Sequence, residues 1–147
     1  MIKRILLAFQ AKTTPTLAPN DARIALAALM VRLARADNDY TQAEVDMIER
    51  VLMKRYDMDA AAARALREQA EELEVSAPDN VRFTRVIKAA VPYEERAGVV
   101  AALWSVVLSD GRRDDAENGF MRLIANLLGV NDRDSAFARQ RVQHKLD

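Results

Sequence analysis

Two helical segments that are apolar on almost every side place the strongest limit on the fold of this chain. The second of them, residues 92–109, carries no charge between Ala97 and Ser109. The first has apolar side chains around nearly its whole circumference: Ile24, Leu26, Leu29, Met30, Val31 and Leu33. A helix without a polar face has to be buried among other elements. The sequence therefore predicts two central helices surrounded by amphipathic ones.

The surrounding helices have recognisable ends. Thr41 and Glu44 have the spacing of a capping box, in which each side chain satisfies a free backbone amide of the other residue. Asp59 and Asn131 are suited to cap two further helices, and Gly129 is suited to end the helix before the last one. The chain has 147 residues with only four glycines and four prolines, and it lacks the alternation typical of strands. We predict an all-α bundle of about seven helices.

The first 19 residues are predicted to form an N-terminal helix and a linker that precede the helical domain, which is predicted over residues 20–147. Residues 1–9 predict a short amphipathic helix, and residues 12–19 have the composition of a linker. The simplest interpretation is that the N-terminal helix packs on the domain. Contact with a membrane surface or a partner is the less favoured alternative, because Lys3 and Arg4 alone make a weak basic face.

Composition excludes several classes of function. The 22 basic and 22 acidic residues balance, whereas a nucleic-acid-binding protein normally has a basic excess, so no nucleic-acid partner is expected. The absence of cysteine excludes disulfides, thiolate nucleophiles and cysteine-bound metals, and the single histidine, His144, leaves no multi-histidine metal site. The apolar stretch at residues 5–9 is too short for a signal peptide, and no run of about 18 apolar residues occurs. We expect a cytoplasmic protein.

An internal repeat contains both central helices. Each is followed by an acidic turn and a capped amphipathic helix, in residues 26–52 and again in residues 99–125. The same 73 positions separate the equivalent acids, Asp37 from Asp110 and Glu44 from Glu117. A helix–turn–helix unit cannot bury its apolar face alone, so the two copies are predicted to pack about a pseudo-twofold axis. That packing would bring the two acidic turns into related locations.

The two acidic turns read ADNDYTQAE over residues 36–44 and SDGRRDDAE over residues 109–117, in each case an Asp followed by Glu seven positions later. These motifs resemble those of the tellurite-resistance TerB family of small all-helical domains. The resemblance covers roughly residues 21–128. It implies a bundle of about seven helices, a divalent-metal site built from these acids, and a link to tellurite or stress resistance. The chain departs from the family pattern at Asn38, where Gly is usual, and at the two arginines of the second turn, Arg112 and Arg113.

The acids of the two turns form the predicted metal site. Asp37 and Asp110 lie at the C-terminal ends of the central helices, where carbonyl dipoles repel a carboxylate by ~0.3–1 kcal/mol. A bound cation would offset that repulsion, and ligands that are all oxygens select a hard ion such as Ca²⁺, Mg²⁺ or Mn²⁺. Asp37 and Asp110 are therefore the predicted primary ligands. The predicted assisting ligands are Asp39, Glu44, Asp114 and Glu117.

Ordinary structural roles compete with this metal site. Capping boxes account for Glu44 and Glu117, and the positive ends of helices account for Asp39 and Asp114. Ion pairs are a further alternative, from Arg35, Arg112 and Arg113. The spacing of Asp37, Asp39 and Thr41 imitates the start of a calcium loop, but the Gly and Glu that complete an EF-hand are missing.

Two hypotheses for function follow. The first is a non-enzymatic TerB-like domain that binds a divalent cation through the two acidic turns. The second is a protein-interaction or membrane-peripheral adaptor, in which the acids have only structural roles. We expect no catalysis, because nothing supplies a nucleophile or an oxyanion site beside the acids. The sequence leaves open the identity of a protein partner and the formation of homo-oligomers.

Overall fold

A computed structural model of the chain describes residues 19–37, 39–76, 80–109 and 115–146, with the side chains of residues 19–21, 37, 115–117 and 146 left out. The helices are α1 (Pro19–Ala34), α2 (Gln42–Tyr56), α3 (Ala60–Ser76), α4 (Asn80–Ala90), α5 (Tyr93–Val107), α6 (Asp115–Leu127) and α7 (Asp132–Leu146). A short 3-10 helix, Arg35–Asp37, continues α1. These ranges contain no strand, and the predicted all-α bundle of about seven helices is confirmed.

Of the predicted N-terminal segment, residues 1–19, the structure describes only Pro19. The amphipathic helix over residues 1–9 lies outside the described residues, as does the linker up to residue 18. Helix α1 begins at Pro19, one residue before the predicted start of the domain. Proline suits the first turn of a helix, because its missing N–H would have no partner there.

Helix α1 lies at the centre of the bundle. Every side chain in residues 24–31 is at most 1% exposed. The helix packs against α2, α3, α4, α5 and α6. A helix that is apolar all round has no face to turn to solvent, so its neighbours have to surround it. The first predicted central helix is therefore confirmed.

Helix α5 is the second central helix, and it packs against α1, α2, α6 and α7. Val100, Leu103 and Val106 are fully buried. Trp104 is nearly buried, and its Nε1–H donates to Ser135 Oγ of α7 at 3.0 Å. Unlike residues 24–31 of α1, this helix has accessible positions, since its first turn is exposed and so is Gly98.

Three predicted helix ends have the expected geometry. Asp59 Oδ1 accepts a hydrogen bond from the Ala62 backbone N–H at 2.8 Å, and Asn131 Oδ1 accepts one from the Asp134 N–H at 2.8 Å. Both side chains thus satisfy amides that the first turn of a helix leaves free. Gly129 follows α6 with a φ of 80°, in the left-handed region that favours glycine at the end of a helix.

The helix bounds follow the spacing of the sequence repeat. Helices α1 and α5 end at Ala34 and Val107, and α2 and α6 begin at Gln42 and Asp115, so each pair is 73 positions apart. The pseudo-twofold packing of the two units stays a prediction. Within the described ranges, no helix combines the length and the apolar character that crossing a bilayer requires. The cytoplasmic location also stays a prediction.

The enclosure of α5 can be tested with two leucines of different burial. Leu103 is fully buried, whereas Leu123 on α6 is 47% exposed. We expect Leu103→Ala to lower the free energy of unfolding by about 2–5 kcal/mol, because it leaves a cavity in the core. Leu123→Ala should cost much less. Urea unfolding followed by circular dichroism measures both losses, and equal losses would contradict the central position of α5.

Candidate functional site

The first acidic turn begins where the buried helix α1 ends. The 3-10 helix Arg35–Asp37 leads out of α1, and Thr41 opens α2 with an extended backbone. Such a tightened last turn is common at helix C-termini. The sequence correctly placed Asp37 at the C-terminal end of a central helix, although its side chain lies outside the described side chains.

A capping box holds the carboxylate of Glu44 in place. Glu44 Oε1 accepts hydrogen bonds from the Thr41 backbone N–H at 2.9 Å and from Thr41 Oγ1 at 3.1 Å, and the Glu44 N–H donates to Thr41 Oγ1 at 3.2 Å. The predicted capping box is thereby confirmed. Glu44 is 0% exposed. A carboxylate in a protein interior is costly unless hydrogen bonds compensate for lost water, and the capping box supplies such bonds.

Tyr40 ties the turn to helix α3. Its hydroxyl donates to Glu71 Oε2 at 2.8 Å. The same oxygen accepts from Arg67 Nη1 at 2.7 Å, and Arg67 Nε donates to Glu49 Oε2 of α2 at 2.6 Å. The Arg67 guanidinium therefore links a carboxylate of α2 to the carboxylate of α3 that also binds Tyr40. Burial, followed by the hydrogen bond to Glu71, raises the pKa of Tyr40 above its usual value.

Two arginines at the end of α1 converge on Glu74 of α3. Arg35 Nη1 donates to Glu74 Oε1 at 2.8 Å, and Arg32 Nε donates to Glu74 Oε2 at 3.3 Å. Arg32 Nη2 also donates to the Glu74 backbone carbonyl at 2.9 Å. The guanidinium carbon of Arg35 lies 5.2 Å from the centroid of the Tyr40 ring, a cation–π contact. Arg35 was considered above as an ion-pair partner for the acidic turn. It forms an ion pair with Glu74 of α3.

Helix α6 brings the second repeat next to the first acidic turn. The 3-10 helix Arg35–Asp37 lies against α6, which also contacts α1, α4 and α5. Helix α6 begins at Asp115 and contains Glu117 in its first turn. Just after the end of α5, Ser109 Oγ donates a hydrogen bond to the Val106 carbonyl at 2.7 Å. The backbone of the first turn and the helix that follows the second turn are therefore neighbours.

The structure describes the six predicted ligands to different extents. Asp39 is exposed on the turn and Glu44 is buried by its capping box. For Asp37 and Glu117 the structure describes the backbone and not the side chain. Asp110 and Asp114 lie outside the described residues. Among the described side chains, no group of three or more His, Asp and Glu residues could hold a metal. The convergence of both turns on one ion stays a prediction, and the alternative pairing with Arg112 and Arg113 also lies outside the described residues.

The sequence interpretation missed the anchoring of the turn to α3. Its local signals were present, because Arg67 and Glu71 are four positions apart and Arg32 and Arg35 are three apart. Such spacings place two side chains on one face of a helix. They do not identify the helix that packs against that face. Glu74, which lies 39 positions from Arg35, had no signal in the sequence that linked it to the turn.

The capping box gives a direct test of local stability. We expect Thr41→Ala to lower the free energy of unfolding by about 0.5–2 kcal/mol, because the Glu44 amide loses its acceptor. Thr41→Ser keeps the hydroxyl and should retain most of the stability. Thermal and urea unfolding of both variants measures the difference. If the serine variant were destabilised as much as the alanine variant, the hydroxyl would not be the stabilising group.

The raised pKa of Tyr40 predicts that the protein loses stability at alkaline pH. The unfolded tyrosine ionises near its ordinary pKa of about 10, whereas the folded side chain retains its proton to higher pH. The contribution of Tyr40 to the free energy of unfolding is therefore complete below the ordinary pKa of about 10 and is lost as the pH rises through the folded pKa. Subtracting the phenolate absorbance of Tyr40→Phe from that of the unsubstituted protein isolates this residue. We expect a step well above the ordinary value, and a step at the ordinary value would contradict the buried hydrogen bond.

Comparisons with known proteins agree with the motifs of the two turns. A family model described as Tellurite resistance protein TerB matches residues 23–140. The matched span includes both acidic turns and confirms the resemblance drawn from their sequences. No curated protein and no solved structure matches the chain.

Proposed function

The chain belongs to the tellurite-resistance TerB family, and from this membership we propose that it is a non-catalytic domain that binds a hard divalent cation. Asp37 and Asp110 are the proposed primary ligands. The assisting ligands are Asp39, Glu44, Asp114 and Glu117. The family also suggests a role in resistance to tellurite or another stress, in which the domain acts by binding.

The contact between the 3-10 helix and α6 carries this proposal. Asp37 is the last residue of the 3-10 helix, and Glu117 lies in the first turn of α6. A metal site built from both repeats requires these two elements to be neighbours, and they pack against each other. The contact joins the end of the first repeat's central helix to a helix of the second repeat.

The donor chemistry fits a hard ion. All six proposed ligands offer carboxylate oxygens, which suit Ca²⁺, Mg²⁺ and Mn²⁺. Of the two described ligands, Asp39 is exposed and accessible to an ion from solvent. Glu44 is already oriented by its hydrogen bonds with Thr41, which lowers the entropic cost of using it as a ligand.

The electrostatics of the turn also favour a cation. The C-terminal end of α1 directs its carbonyl dipoles at the 3-10 helix that contains Asp37, and carbonyls and carboxylates repel each other. Arg35, the nearest arginine in the sequence, donates to Glu74 on α3. A divalent ion would supply positive charge at the turn and bind carboxylates of both repeats.

Thermal unfolding in the presence of Ca²⁺, Mg²⁺, Mn²⁺ or EDTA tests the proposal. An ion that binds only the folded state raises its stability by about 2.7 kcal/mol at a hundred times its dissociation constant. We expect at least one of the three ions to raise the melting temperature relative to EDTA. The double variant Asp37→Asn and Asp110→Asn should abolish this shift and keep the helical circular dichroism spectrum.

Asp46→Asn is the matched control for this experiment. Asp46 is an exposed carboxylate on α2 that accepts a hydrogen bond from Gln42, and it is not among the proposed ligands. Its variant should keep the full shift. Absence of a shift at millimolar metal would contradict cation binding and favour the adaptor hypothesis. An equal shift in the double variant would show that an ion binds elsewhere.

A further inference from the structure

An open groove of about 610 Å³ lies between helices α2, α5 and α7. Its apolar lining includes Met47 and Val51 of α2 and Val142 of α7. Four cationic side chains also line it: Arg50, Lys54, Arg55 and Lys145. No acidic side chain belongs to the described lining of this basic groove.

Small residues of α5 form the middle of the basic groove. Gly98, Ala101, Ala102 and Ser105 recur at spacings of three and four, so they lie along one face of the helix. Gly98 is exposed, Ala101 and Ser105 are partly exposed and Ala102 is nearly buried, so this face forms an accessible strip on α5. Side chains this small allow another backbone to approach closely. The guanidinium of Arg55 reaches over the strip, since its Nη1 lies 3.6 Å from the position of a Cβ added at Gly98.

Helix dipoles explain part of this charge but not its convergence. Lys54 and Arg55 occupy the last turn of α2, and Lys145 occupies that of α7, where cations are favourable. Arg50 lies in the interior of α2, where the dipole gives it no advantage. Among the described residues, Arg50, Lys54 and Lys145 form no salt bridge. Their charges therefore face the groove uncompensated, with an apolar lining between them.

We propose that the basic groove binds an acidic amphipathic helix of a partner protein. The apolar face of such a helix would cover the strip on α5, and its carboxylates would lie beside the four cations. From Gly98 to Ser105 the strip extends about 10 Å at 1.5 Å per residue, which corresponds to two helical turns. A lipid bilayer is too flat to enter the groove, and a nucleic-acid duplex presents phosphates on its outside and no apolar face to cover the lining.

An adjoining cleft shares Gly98, Ala101, Val142 and Lys145 with the basic groove and continues along α7. Its lining contains both signs of charge, since Glu94 and Asp134 lie there with Arg141 and Lys145, and it includes the half-exposed ring of Phe137. The basic groove is lined by charge of a single sign, so the acids of the partner helix are expected there, beside the four cations.

Fluorescence anisotropy with a labelled synthetic peptide tests this proposal. The probe is a helical peptide with leucine and alanine along one face and glutamates flanking that face. A second peptide has lysine in place of each glutamate. We expect the full chain to bind the glutamate peptide and not the lysine peptide, and we expect added salt to weaken binding. The titrations are done in EDTA, so the result does not depend on cation binding.

Matched double variants locate the binding surface. Arg50→Gln with Lys145→Gln removes two cations of the basic groove and should weaken binding about tenfold or more. Arg85→Gln with Lys88→Gln removes one arginine and one lysine from the exposed side of α4 and should leave affinity unchanged. Ala101→Trp fills the strip without changing charge and should also abolish binding. Circular dichroism confirms that each variant is folded.

Several outcomes would overturn the proposal. One is no binding of the glutamate peptide at millimolar concentration, and another is equal weakening by both double variants. Equal affinity for the lysine peptide would show that charge is not recognised. Binding to phosphatidylglycerol vesicles without binding to the peptide would assign the cations to a membrane surface instead. Self-association that the Arg50 and Lys145 variant abolishes, without peptide binding, would assign the groove to a second copy of the chain.

Discussion

The burial of residues 24–31 of α1 is the constraint on which the rest of the structure depends. Its side chains over residues 24–31 are enclosed by five other helices. Burial of each large apolar side chain contributes about 1.5–3 kcal/mol, so the enclosure of this helix stabilises the whole bundle. Four of these five, α2, α3, α4 and α6, are amphipathic and pack against α1. The fold is therefore organised from the centre outward.

The polar end of α1 is where this buried helix meets the charged part of the molecule. Arg32 and Arg35 both pair with Glu74, and Tyr40 and Arg67 both pair with Glu71. These groups are partly buried, and a charge in that position is costly unless a partner compensates for the lost water. Pairing with α3 satisfies this requirement. It also fixes the direction in which the chain leaves the core, and hence the position of the first acidic turn.

Helix α2 contributes to both candidate binding surfaces. Its N-terminus carries the capping box of the acidic turn, and its last turn carries Lys54 and Arg55 of the basic groove. The helix has 15 residues, so the capping box and the last turn are about 20 Å apart along its axis. Acids at the first end and cations at the second both agree with the helix dipole. One amphipathic helix can therefore contribute to a cation site and to a separate protein-binding groove.

The sequence by itself determined the helical class, the two central helices, the capping residues Thr41, Asp59 and Asn131, and the family. These features depend on periodicity and on hydrogen bonds between residues a few positions apart, so they can be read from short segments. Only the tertiary structure decided that Glu74 receives both arginines, that the 3-10 helix lies against α6, and that four cations line one groove. These arrangements join residues tens of positions apart. Their partners are selected by how whole helices pack against one another, which no local pattern specifies.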